Sequence, residues 1–282
     1  MKRTLTLIVI LCSALTGFAQ SDSTGKSGEP DTIKVGGMII IRKGGGGHEI
    51  VRERRDHDND TSFHRHHYNK PTNSSTNWWI VDLGFSNFND KTIYSSVETQ
   101  AFAPLSNAET FKLRNWKSRN VNFWFFMQRL NVVEHVINLK YGLGIELNNY
   151  FFDNPEVRFT KNPTVVTQDP AWDDLKKNKL AADYITAPIM LNINFTPHHG
   201  RGFGISGGVS AGYLYSSRQK IKDGGHISKT HDDFDLRKWK VSYVGELLLG
   251  PVKLYGSYAF KSMWEKGLDQ TPYTVGMRLS NW

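Results

Sequence analysis

The chain of 282 residues has one cysteine, Cys12. It lies inside an N-terminal stretch that reads as a secretory signal, so the exported chain carries no thiol. Disulfide frameworks and Cys-ligated metals are thereby excluded. A lipoprotein signal would place a small residue just before the modified cysteine, and Leu11 stands there instead. Long hydrophobic runs are also missing. No segment beyond the N-terminus approaches the ~18 uninterrupted apolar residues of a spanning helix. The glycine run Gly44 to Gly47 lacks the Lys and Ser/Thr that would follow in a phosphate loop. No nucleic-acid recognition motif is present, and no nucleic-acid partner is expected.

At the N-terminus, Lys2 and Arg3 precede a short apolar core from Leu5 to Leu15, and Gly17-Phe18-Ala19 offers small residues to a signal peptidase. This pattern predicts a signal peptide over residues 1–19 with cleavage before Gln20. An exported chain without a helical anchor is soluble, surface-bound or a barrel. The formal charge is +8, and removing Lys2 and Arg3 lowers it by two. Spread along an exported chain, that charge suits outer-membrane lipid headgroups and lipopolysaccharide as partners.

Residues 20–76 show no sustained periodicity. Ser21 to Asp31 has linker composition, and Asp56 to Asn77 is polar and His-rich. This region is expected to be a periplasmic, largely disordered Gly/His-rich tail, with at most a short strand at Val35–Arg42. The residues His48, His57, His64, His66 and His67 crowd it. Imidazoles can bind divalent metals, but nothing fixes their spacing and Arg52, Arg54, Arg55 and Arg65 repel a cation, so no metal site is assigned.

From residue 77 to 282 the pattern changes. In Asn138-Leu139-Lys140-Tyr141-Gly142-Leu143-Gly144-Ile145-Glu146-Leu147-Asn148 every odd position is apolar and every even position is polar or Gly. Strand side chains alternate between two faces, so this stretch is a strand with one apolar and one polar face. A run of about ten such residues crosses a bilayer when tilted. Seven more segments repeat the theme. Their outward sets are Trp79, Val81, Leu83 and Phe85; Val121, Phe123, Phe125 and Met127; Ile185, Ala187, Ile189, Leu191, Ile193 and Phe195; Phe203, Ile205, Val209, Ala211 and Tyr213; Trp239, Val241, Tyr243 and Leu247; Val252, Leu254, Tyr258 and Phe260; and Tyr273, Val275, Met277 and Leu279. Pro188 falls among the inward residues of the fourth segment, where it cannot donate to a ladder. Long and short connections alternate strictly, as in outer-membrane barrels with long extracellular loops and short periplasmic turns. Aromatics near the segment ends (Trp78, Trp79, Tyr150, Phe151, Phe152, Trp239, Trp264, Tyr273 and Trp282) are expected to form an interfacial girdle. The fold expected is all-β: a closed antiparallel transmembrane β-barrel of about eight strands.

Gln128-Arg129-Leu130, the run from Asn138 to Tyr150, the Ala19-Gln20 context and Asp31-Thr32-Ile33-Lys34 together resemble the Bacteroidetes outer-membrane β-barrel proteins related to PorT. The resemblance covers roughly residues 77–282. It implies an integral outer-membrane barrel without assigned activity. PorT is associated with type IX secretion, which makes secretion-system components candidate partners. Trp282 resembles the terminal aromatic of the barrel-insertion signal, which implies the barrel-assembly machinery as a partner during insertion.

The charges on the predicted inner face are Asp82, Lys140, Glu146, Lys240, Glu246, Lys253 and Arg278. An eight-strand barrel is barely wide enough inside for side chains, so these charges must pair or hold water. They are expected to form a structural network that plugs the lumen. His226-Ile227-Ser228 echoes a His-x-Ser spacing of a lipid A deacylase, but it falls in a polar loop and no base is fixed beside the hydroxyl. No catalytic residue and no cofactor is assigned. The expected function is an integral outer-membrane barrel with a plugged lumen and a structural, adhesive or secretion-accessory role carried by its loops. The alternative is a secreted, soluble lipocalin-like barrel carrying a lipophilic ligand, and an outer-membrane lipid-modifying enzyme ranks behind both.

Overall fold

The computed structural model describes residues 72–280, apart from 174, 198–201 and 224–225, together with the backbone of three short strands between residues 31 and 51. The signal stretch 1–19, His57, His64, His66, His67 and Trp282 lie outside the described residues.

The chain divides into two units, Met1–Tyr68 and Asn69–Trp282. In the first, β1 (Asp31–Val35), β2 (Met38–Lys43) and β3 (Gly47–Val51) form an antiparallel sheet in that order. The single short strand expected at Val35–Arg42 is thus replaced by a three-strand meander. The reason is legible in the spacing. Val35 pairs with Met38 across an intervening Gly-Gly, a sequence suited to a two-residue hairpin, and three glycines separate Lys43 from its partner Gly47.

The second unit begins with β4 (Ser74–Asp90), three residues before the expected start of the barrel. It continues through α1 (Val97–Phe102), β5 (Arg119–Val133), β6 (Ile137–Phe151), β7 (Val157–Phe159), β8 (Val166–Gln168), β9 (Lys177–Asn194), β10 (Phe203–Asp223), β11 (His226–His231), β12 (Trp239–Leu249), β13 (Val252–Ala259) and β14 (Gln270–Leu279). Among the described residues, eight strands pair in the order β4-β5-β6-β9-β10-β12-β13-β14, and β14 pairs back to β4. Every neighbour is antiparallel, so this is an up-and-down barrel without a free edge. β11 extends β10 as a hairpin beyond the ring, and β7 pairs with β8 in a small ribbon.

The alternation places apolar side chains outside. Ile189 and Leu191 of β9 are 57% and 58% exposed, whereas Lys140 and Glu146 of β6 are 2% and 4% exposed. This reverses the arrangement of a water-soluble fold and fits hydrocarbon outside. Pro188 is accommodated because the β6–β9 ladder skips it, while Ser210 of β10 stands opposite.

One strand departs from strict alternation. Met127 was expected on the outer face, yet it is fully buried, and Phe126 packs outside against Trp78 at 5.9 Å. The register of β5 against β6 shifts between Trp124 and Phe126, which inserts Phe125 as an extra residue. Opposite it in β4, Trp79 adopts φ 57°. The irregularity exchanges the two faces for the rest of β5, as a bulge does.

The closing seam contains a glycine pair. Gly84 of β4 stands opposite Gly276 of β14, and a Cβ on Gly276 would meet the Leu83 carbonyl at 2.3 Å and Tyr255 at 2.8 Å. Tyr255 therefore lies across bare backbone, which only glycine leaves accessible at this distance.

Candidate functional site

The short turns at one end of the barrel join β5 to β6, β9 to β10 and β12 to β13. The other end carries the long connections after β4, β6, β10 and β13. Between these ends lies the lumen. Within it lies a small apolar cluster of Ile80, Trp124, Met127 and Met190.

Around it are the ionised side chains. Arg278 on β14 donates to Asp82 on β4 through Nε and Nη2, both at 2.7 Å. This is the planar two-pronged geometry that a guanidinium offers a carboxylate. The Asp82 carboxylate also accepts from the Trp124 indole at 2.7 Å and from the Asn122 amide at 3.3 Å. On its other side Arg278 pairs with Glu246, which in turn pairs with Lys140 and accepts from Ser206 at 3.1 Å. The guanidinium lies 5.5 Å from the Trp124 ring. Lys240 pairs with Glu146 and sits 4.6 Å over the Tyr184 ring. Lys253 donates to the Ser280 carbonyl and hydroxyl, each at 2.7 Å.

The structure thus joins Asp82, Arg278, Glu246 and Lys140 into one chain of contacts, and Glu146 with Lys240 into a second pair. Lys253 reaches Ser280 at the turn end, at the close of β14. A void beside Trp124, Glu246 and Arg278 holds about 20 Å³, room for roughly one water. Sequence alternation missed Arg129. It shares a face with buried Met127 and pairs in register with Lys140, so the same irregularity in β5 turns it inward. Next come amides: Asn120 donates to Asn122 and Asn148, both at 2.8 Å, and Tyr255 donates to Asn120.

The loop end is closed differently from expectation. Tyr150, Phe151, Phe152 and Trp264 were expected in an interfacial girdle, but all four are buried. Tyr150, Phe152 and Trp264 join Phe102, Phe111, Phe159, Phe234 and others in an apolar core built from the long connections. Phe159 stacks on Trp264 at 5.6 Å, and Phe102 meets its edge at 5.6 Å. Three local devices hold this cap. Ser96 caps α1 by accepting from Thr99 N–H at 3.2 Å. Thr99 Oγ1 donates to the Gly267 carbonyl at 2.6 Å, tying the first loop to the last. Tyr94 donates to Asp90 at 2.6 Å, and burial together with that carboxylate pushes its phenol well above the ordinary range. Exposed aromatics lie elsewhere, among them Trp78, Trp79, Phe195 and Phe203 toward the turns, Trp116, Tyr213 and Trp239 toward the loops, and Phe123 and Phe125 along the barrel wall.

His226 and Ser228 lie on β11, not in a loop, opposite Asp223 and Ile221 of β10. Both are exposed. Among the described residues, no group of three or more His, Cys, Asp or Glu side chains is placed to hold a metal ion.

A family model described as outer membrane protein beta-barrel domain matches residues 94–260, more than half of the chain. No curated protein matches it.

Proposed function

Because this chain belongs to the outer membrane protein beta-barrel domain family, we propose that it is an outer-membrane barrel closed to permeation, whose capped loop end faces the outside and does its work. The role is structural, adhesive or secretion-accessory. Export through the signal peptide 1–19, insertion by the barrel-assembly machinery and a place among the Bacteroidetes barrels related to PorT belong to the same proposal.

The observation that carries it is the double filling of the barrel. Ion pairs and amides occupy the middle of the lumen, and an apolar core lies under the loops. Charges inside an eight-strand barrel are tolerable when each is paired and hydrogen-bonded. A network of that kind supports a fixed plug, and a hydrated path would need free volume that these contacts occupy. The loops then become the part available to partners, since outer-membrane barrels keep their long connections on the extracellular side.

A soluble carrier fits less well. A ligand-binding calyx needs an apolar interior, and here the apolar positions face outward while charge faces inward.

Two measurements test the proposal. Purified protein in planar bilayers is expected to give no stable large conductance steps, and such steps would refute the plug. Affinity isolation of the intact protein from solubilised outer membrane is expected to bring an envelope partner with it. Secretion components in that fraction would select the secretion-accessory role over the others.

A further inference from the structure

The outer face of β9 changes character at Ile185. Toward the turn end, Ile185, Ile189, Leu191 and Ile193 are exposed apolar side chains. Toward the loop end, the same face continues with buried Asp183 and Ala181 and then half-buried Lys179 and Lys177. Register then brings further cations alongside. Lys179 stands opposite Lys220, and Lys177 stands opposite Lys222, across β9 and β10. On its other side Lys220 stands opposite Lys229 of β11. Asp183, the carboxylate on this stretch of β9, is engaged by Arg218.

Like charges placed directly opposite one another weaken a sheet. Here the pairing occurs three times on one face, so the fold tolerates a cost at a single place. The far side of the ring differs. Beyond Phe85 of β4 the next outward residues are Asn87 and Asn89, with Tyr273 of β14 opposite Asn87. Exposed Arg119 of β5 stands opposite Phe85, but the directly opposed lysines are gathered at β9, β10 and β11, beyond the edge of the apolar belt, where Ile185 pairs with exposed Tyr213.

We propose that Lys177, Lys179, Lys220, Lys222 and Lys229 form a docking surface for the phosphorylated headgroup of lipopolysaccharide in the outer leaflet. Its acyl chains lie against Ile185, Tyr213 and Tyr215 below. The position selects a lipid over a soluble polyanion, because the lysines stand beyond the lipid-facing surface on the same strands. A headgroup phosphate placed between opposed ammonium groups removes their mutual repulsion, and each cation close to an anionic lipid surface strengthens attachment. The inference rests on the reading that the loop end faces outward.

The test uses the full chain refolded in detergent and titrated with rough lipopolysaccharide bearing bisphosphorylated lipid A, with binding read by native mass spectrometry. The variant Lys177→Gln/Lys179→Gln/Lys220→Gln/Lys222→Gln is expected to bind several-hundred-fold more weakly, taking roughly fivefold per cation. Enzymatically dephosphorylated lipid A should bind the unaltered protein no better than the intact lipid binds the variant. Equal binding by the unaltered and variant proteins overturns the proposal. Displacement by inorganic phosphate at equal phosphate concentration overturns it too, since the site would then take free anions.

Heat-modifiable gel migration checks that the variant folds. If it does not, Lys177→Gln/Lys179→Gln and Lys220→Gln/Lys222→Gln are measured separately, each with an expected loss of about 25-fold. The outward orientation fails by a different readout. Protease added to intact cells would then leave the loop-end lysines Lys261 and Lys266 uncut, while binding in detergent stayed as measured.

Discussion

Replacing Asp82 by alanine isolates the strongest electrostatic feature of the barrel. The carboxylate has no exposed surface, and it receives two hydrogen bonds from Arg278, one from Trp124 and one from Asn122. Its loss leaves the guanidinium with a single anionic neighbour, Glu246, which already serves Lys140. Breaking a buried ion pair from one side costs about 3–5 kcal/mol, because the remaining charge stays desolvated. The stranded Trp124 indole lies within that figure. Asp82→Ala should therefore lower the unfolding free energy by ~3–5 kcal/mol, and Arg278→Met by a similar amount. The double variant removes both charges and leaves Glu246 to Lys140 and Ser206. It should lose less than the two single losses together, by about 0.5–3 kcal/mol. Urea unfolding in detergent micelles, followed by tryptophan fluorescence and heat-modifiable migration, measures all three. A loss under ~1 kcal/mol for Asp82→Ala, or strict additivity in the double variant, would refute the network as a structural element.

Leu143→Arg on the outer face of β6 should cost about 2–4 kcal/mol in lipid vesicles if that position lies near mid-bilayer, and an unchanged unfolding midpoint would remove it from the hydrocarbon. Gly276→Ala forces a Cβ against the Leu83 carbonyl and the Gly84 Cα, so a loss of roughly 1–3 kcal/mol is expected. Gly207→Ala, whose Cβ meets nothing within 4 Å, should be near neutral, and equal effects would sink the seam argument. Trp264→Ala empties the centre of the loop-end core at an expected cost of ~3–5 kcal/mol. Faster trypsin cleavage at Lys261 and Lys266 with unchanged barrel migration is the outcome consistent with a separately built cap.

Strand identity and facing were legible in the sequence wherever a period of two ran unbroken, as from Asn138 to Asn148. Each side chain there reports its own environment, lipid or lumen, and the report needs no knowledge of neighbours. The pattern failed at Phe125, because an inserted residue changes phase without changing composition. Met127 and Arg129 were consequently assigned to the wrong face or overlooked. It failed again at Tyr150, Phe152 and Trp264. An aromatic at a strand end suits a bilayer interface and a buried core equally well, and only the packing of loops distant in sequence chose the core.

From its sequence alone, this protein was committed to eight amphipathic strands with apolar sides outward, long and short connections in alternation, and seven charges on the inner face. Those properties follow from local alternation and spacing. The tertiary structure decided which charges meet, that Arg278 bridges Asp82 and Glu246, that the long connections share an apolar core, and that lysines of β9, β10 and β11 stand opposite one another. Each of these depends on register and barrel closure, which bring together residues as far apart as Asp82 and Arg278, and no local pattern encodes the partner of a residue on another strand.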